Sequence, residues 1–178
     1  MQDWVFVHED DWGRHTLEVR ENIVERTQTA AEVRDFAETH RAPNGLGWTD
    51  IAVVPAAAIP LTVRRLTLAA LREVLGPGVQ QLGGVRCGYG NATEPVVNGF
   101  AFACARVAGR DPTDDWNILY GIAKDEQVVQ LHLTFGTPAI APLLHRLGTT
   151  FGLILFSGHD VVDLAVRAAI DHFLDDNT

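Results

Sequence analysis

The chain has 178 residues, 47% of them hydrophobic and 21% charged, the composition of an ordinary globular protein long enough to bury a core as one domain. Its 23 acidic against 14 basic residues give a formal charge of −9, which argues against a nucleic-acid backbone or an anionic membrane as partner and permits a basic one. No apolar run reaches the roughly 18 residues of a spanning helix, MQDWVFVHEDD at the start lacks a signal-peptide pattern, and Cys87 and Cys104 read as reduced, so the expected compartment is the cytoplasm.

Trp4 to His8 and Thr16 to Arg20 read as two strands around the turn Asp10, Asp11, Trp12, Gly13, an opening hairpin. The cluster His8, Glu9, Asp10, Asp11 has metal-ligand chemistry without ligand spacing and reads as a solvated acidic turn. Thr27 or Thr29 caps a helix running to about His40, with Ala30, Val33, Phe36 and Ala37 on one face and Pro43 and Gly45 closing it. Asp50 to Pro55, containing IAVV, reads as a central parallel strand buried on both faces. A helix then starts at Leu61 or Thr62, buries Val63, Leu66, Leu71, Val74 and Leu75, and ends at Gly76, Pro77 and Gly78. Arg64, Arg65 and Arg72 form its solvated side.

Gly84 to Glu126 reads as strand, helix, strand. Val85 to Tyr89 is a short buried strand, Asn91 or Thr93 caps a helix with Pro95 in its first turn, and Val96, Val97, Phe100, Ala103, Cys104 and Val107 make the helical face. Gly109 and Pro112 end that helix, and Trp116 to Ala123 is a mostly apolar strand. Val128 to Phe135 alternates with period two, and the short link Lys124, Asp125, Glu126 predicts an antiparallel pair with Trp116 to Ala123. Pro138 to Leu147 is a short helix, Phe151 to Phe156 a buried strand, and Ser157 caps a last helix through Phe173. The order predicts a single α/β domain with a mixed, largely parallel sheet and helices on both faces.

Neither Gly76-Pro77-Gly78 nor Gly88-Tyr89-Gly90 has the context of a phosphate-binding loop, no Cys and His set has zinc spacing, and no cofactor motif is present. Ser157, His159 and Asp160 resemble the distal His-Asp of histidine acid phosphatases, but Thr16 stands after Arg14-His15 where that family has glycine. Cys87 with His132 or His159 and a carboxylate has the residue types of a thiol hydrolase, since a base or a helix N-terminus lowers a thiol's pKa. A small apolar side chain packed in a strand explains Cys87 as well, and Cys104 reads as core.

Residues 27–146 resemble the N-terminal half of the thiolase and ketoacyl synthase superfamily in order and spacing. TDIAVVPAAAIP stands for its strand and Pro-containing loop, LTVRRLTLAALREVLG for its next helix, GGVRCGYGNATEPVVNGFAFACARVAG for the strand and buried helix around the nucleophile, and TFGTPAIAPLL for its small-residue segment. The resemblance implies a thiolase-like half topology with Asn91, Ala92 and Phe100 at an acyl site, and Ala92 stands nearer the nucleophile's spacing than Cys87 does. With alanine there, and without the family's second half, it implies a non-condensing accessory subunit in acyl-thioester metabolism, working as a homodimer or with a ketosynthase-like or acyl-carrier partner. Two other readings stand beside it. One is an acidic partner-binding module, such as an immunity protein that neutralises a basic toxin. The other is the Cys87 hydrolase.

Overall fold

The computed structural model describes residues 4–43, 46–89, 92–105, 117–134 and 138–177. Ten strands and four α-helices are placed among them: β1 (Trp4–His8), β2 (Thr16–Val19), α1 (Ile23–Thr39), α2 (Leu68–Leu75), β3 (Gln80–Gln81), β4 (Gly84–Tyr89), β5 (Ala92–Pro95), β6 (Gly99–Ala105), β7 (Asn117–Lys124), β8 (Gln127–Thr134), α3 (Ala141–Phe151), β9 (Leu153–Phe156), β10 (Val161–Asp163) and α4 (Arg167–Asn177). A seven-stranded sheet has the order β10-β9-β2-β8-β7-β6-β3, and a three-stranded sheet the order β1-β4-β5.

The mixed α/β class is as expected, but the sheet is not largely parallel. Every neighbouring pair in the large sheet is antiparallel, and β1 with β4 is the one parallel pair among the described residues. Short turns account for two of these pairs, β7 with β8 and β9 with β10. The expected hairpin of β7 and β8 forms, with Asp125 at φ 48° and Glu126 at φ 64° in the left-handed conformations of a tight two-residue turn.

Where a helix is expected over Val96 to Val107 the chain forms strand β6 from Gly99 to Ala105, with Arg106 and Val107 outside the described residues. Its sequence GFAFACA alternates large and small side chains. Phe100 and Phe102 face the helices, while Ala101 and Ala103 face the small sheet. Small residues satisfy a helical and a strand period alike, and the alternation of bulk is what fits two unequal layers.

One face of the large sheet carries Leu17, Val19, Leu119, Leu131, Leu133, Leu153 and Leu155, packed against Leu71 of α2, Leu144 and Leu147 of α3, and Ile170 and Leu174 of α4. On the other face the small sheet buries Val7 and Val85 against Ala101, Ala103, Ile118 and Tyr120. Helix α1 covers the β2, β9 and β10 side of that face, where Arg26 pairs with Glu18 and lies over the Phe156 ring at 4.6 Å.

Four further expectations are corrected. The opening hairpin does not form, because the turn after β1 carries the chain from one sheet to the other: β1 pairs with β4, and β2 with β8 and β9. Asp50 to Pro55 joins neither sheet, with Ile51 84% and Val53 89% exposed. The helix from Leu61 splits into a 3-10 turn over Leu61–Arg64 and α2, because Arg65 turns left-handed at φ 48° and the Thr67 hydroxyl caps the second piece by accepting from Ala70 N at 3.1 Å. Ser157 likewise caps a turn before β10, accepting from Asp160 N at 3.2 Å, and α4 begins only at Arg167.

Candidate functional site

The acidic turn after β1 is built by short-range hydrogen bonds and held by long-range ones. His8 Nδ1 accepts from Asp10 N at 3.3 Å, Trp12 N donates to Glu9 O at 3.2 Å, and Arg14 N donates to Asp11 O at 3.1 Å. Gly13 then takes φ 77° and passes over the edge of the His132 ring, so close that a Cβ there would sit 3.5 Å from Cε1. Beneath the turn, Trp12 meets Tyr120 at 5.2 Å and His132 at 5.5 Å between ring centroids, and Tyr120 Oη donates to Asp11 O at 3.3 Å.

His132 is the polar centre of this support. Thr16 Oγ1 donates to Gly13 O at 2.9 Å and lies 3.2 Å from His132 Nδ1, so its one proton is committed and Nδ1 carries the hydrogen between them. That tautomer leaves Nε2 as an acceptor, and it has no hydrogen-bond partner among the described residues. Burial pushes the imidazole down to about 4, and the Tyr120 phenol up to about 12 with a smaller push from Asp11 and Cys87. At neutral pH both are uncharged.

The turn forms one wall of a cleft of about 470 Å³, lined by Asp10, Asp11, Trp12 and Arg14 and closed by Val54, Phe156 and Ser157. Outward from it, β1 alternates Val5 and Val7, which face the small core, with Trp4, Phe6 and His8 on the opposite side. Trp4 is 49%, Phe6 50% and Tyr89 61% exposed. The His8 ring stands 6.5 Å from Phe6 and 4.6 Å from Tyr89, so an aromatic strip leads directly into Glu9, Asp10 and Asp11. Arg86 is the cation on this side of β4, and it is tied to β5 through Thr93 Oγ1 at 3.2 Å and Thr93 O at 2.9 Å.

The expected catalytic residues sit in three places. Cys87 is partly buried at the middle of β4, between Val7 and Glu94 in register. It lies near Tyr120, but the unpartnered Nε2 of His132 means that no Cys87–His132 hydrogen bond exists. His159 is in the turn after β9, with Nε2 3.3 Å from Asp160 Oδ2 and its carbonyl taking a hydrogen bond from Arg34. Of the three residues expected at an acyl site, Asn91 lies outside the described residues, Ala92 is exposed opposite Tyr89 on β5, and Phe100 is buried on the helix-bearing face of the large sheet. The stretch after Cys87 runs on as β5 and β6, so among the described residues no helix begins where the sequence placed one beside the thiol.

Cys104 lines a second cleft of about 520 Å³ with Val74, Leu75, Val79, Leu143 and Arg146, and burial raises its thiol to about 12, which removes it as a nucleophile. Among the described residues no group of three or more His, Cys, Asp or Glu is placed to hold a metal ion, and no helix is long and apolar enough to cross a membrane. Comparison with family models, curated proteins and solved structures finds no match to this chain.

The sequence marked Glu9 to Asp11 as a solvated acidic turn but not its aromatic neighbours. Trp4, Phe6 and His8 at alternate positions beside an acidic run were the available signal.

Proposed function

We propose that this chain is an acidic partner-binding module that takes up a basic polypeptide on the outer face of β1. The observation that supports this reading is the half-exposed strip of Trp4, Phe6, His8 and Tyr89 ending in Glu9, Asp10 and Asp11. Half-exposed aromatic side chains supply the apolar anchor of an interface, and like charge at its end selects the partner's sign. Among the described residues no strand pairs with β1 on the side away from β4, so a partner can also add a strand there. The formal charge of −9 extends the same selection over long range.

The test is a titration, followed by tryptophan fluorescence, against an Arg- and Lys-rich peptide carrying aliphatic residues and against its Glu-substituted counterpart. The basic peptide is expected to bind saturably, to weaken as salt rises, and to lose about tenfold or more in affinity with Phe6→Ser. Equal binding of both peptides, or no effect of Phe6→Ser in a folded variant, overturns the reading.

A further inference from the structure

The cleft beside the acidic turn has walls of two chemistries. Asp10, Asp11 and Trp12 reach it from the turn after β1, and Val54 reaches it from residues 51–54, which belong to neither sheet. Burial alternates along that stretch: Ile51 and Val53 are 84% and 89% exposed, whereas Ala52 is partly buried and Val54 is 38% exposed. Isoleucine and valine are strand formers, yet no backbone hydrogen bond of Ala52, Val53 or Val54 is made among the described residues.

The stretch is nonetheless held in place. Pro55 restricts Val54 to extended conformations. Arg26 Nη1 donates to Pro55 O at 2.9 Å, while Asn22 closes a two-way pair with Ile59, donating to its carbonyl at 2.9 Å and accepting from its amide at 3.1 Å. Charge on the facing wall is incompletely neutralised. Arg14 reaches Asp11 at 3.3 Å. His8 Nδ1 accepts from Asp10 N and so carries no proton, and its 3.4 Å approach to Asp10 Oδ2 gives that carboxylate no cation. Asp10 has no other cation partner among the described residues, and its side chain is 70% exposed.

On the basis of the basic-polypeptide site at β1, we propose that the same polypeptide continues past the acidic turn into this cleft. There its main chain pairs with residues 51–54, and one lysine or arginine side chain lies against Asp10. Charge complementarity selects this occupant. A lysine or arginine carries a charged head on an apolar stem, which suits a cleft that offers Val54, Trp12 and Phe156 to the stem and a carboxylate to the head. The two surfaces are also continuous. Asp10 and Asp11 end the aromatic strip of β1 and line the cleft, so one extended chain passes from the first to the second without a break. Side chains alternate along a strand, so a residue that enters the cleft beside Val54 is followed by one beside Ile51 or Val53. The partner stretch that fits is therefore basic and aliphatic by turns.

Calorimetric titration of the full chain with a peptide of alternating lysine and valine tests this. About twelve residues, at ~3.3 Å each, follow β1 and reach the cleft. Val54→Arg, which puts the chain's own cation into the cleft, is expected to weaken binding about tenfold or more. Val24→Arg makes the same change of charge at a 78% exposed position on α1 and is expected to change it less than about twofold. Ala52→Pro and Val53→Pro remove donors on opposite edges of the stretch, so one of them is expected to weaken binding about tenfold and the other less, each with unchanged circular dichroism. Weakening by Phe6→Ser alone leaves β1 as the site and overturns the path into the cleft. Weakening by the segment variants alone overturns the site at β1, and the continuous path with it. No weakening by any variant, or equal weakening by Val24→Arg, overturns both.

Discussion

Arg26 donates from Nε and Nη2 to the two carboxylate oxygens of Glu18, both at 2.8 Å, with the two side chains only 3% and 8% exposed. The same guanidinium lies on Phe156 and holds the Pro55 carbonyl, so one side chain joins α1, β2, β9 and the segment that ends at Pro55. Removing one partner strands the other as a buried charge, and Arg26→Met or Glu18→Gln is expected to cost about 3–5 kcal/mol in urea unfolding. The double variant Glu18→Leu with Arg26→Met is expected to recover much of that loss. If the double variant is as unstable as the singles added together, the two groups are not coupled.

Acid should destabilise the fold well before its carboxylates titrate. His132 and His15 are both held down to about 4 from 6.5, by burial first in each case and for His15 also by Arg14 and His159. An unfolded chain takes up these protons below about pH 6.5 and the folded one only near 4, so stability is full above 6.5 and falls progressively toward 4. For the buried His132 alone the loss is on the order of 3 kcal/mol. Urea midpoints between pH 7.5 and 4.5 should show it. His132→Phe should flatten the slope, and an unchanged slope would assign the loss to other groups.

Gly148 is on α3 where the helix crosses the backbone of Leu164. A Cβ at that position would stand 2.2 Å from the Leu164 carbonyl carbon, a contact with backbone that cannot rotate away. Gly148→Ala gains helix propensity of about 1 kcal/mol, yet the overlap is expected to reverse the sign and cost about 1–3 kcal/mol net. A thermal melt decides it, since a raised midpoint would mean that α3 moves freely off the turn at Leu164.

The thiol of Cys104 is raised to about 12, and its Sγ is turned to the Phe102 carbonyl at 3.4 Å. At pH 8 its alkylation in the native protein is expected to be roughly three orders of magnitude slower than in urea. Peptide mapping after iodoacetamide treatment measures this directly. Rapid native labelling would place Cys104 in solvent.

What the sequence disclosed was what short range decides. The β7–β8 pair was legible because Val128 to Phe135 alternates and only four residues separate the two runs, and β9 because LILF is a short buried run. The parallel pairing of Trp4 with Gly84 was not, because no local pattern specifies a neighbour so far along the chain. The same holds for the candidate site. Glu9 to Asp11 read as an acidic turn, but the contacts that fix it, Thr16 with His132 and Tyr120 with Asp11, span 116 and 109 residues. IAVV read as a strand on its composition, which is sound chemistry. Among the described residues it has no strand neighbour, and its end is held by Arg26 at the Pro55 carbonyl and by Asn22 at Ile59, contacts that periodicity does not weigh.

Strand β6 is a wall shared by two interiors of unequal size, with phenylalanines set into the larger and alanines into the smaller. The smaller interior has few side chains with which to resist opening, so the three-stranded sheet is the portion whose amide protons should exchange through partial rather than whole-molecule unfolding. The face that carries Trp4 and Phe6 can therefore loosen, and settle again around whatever it meets, while the helical layer behind β6 remains closed.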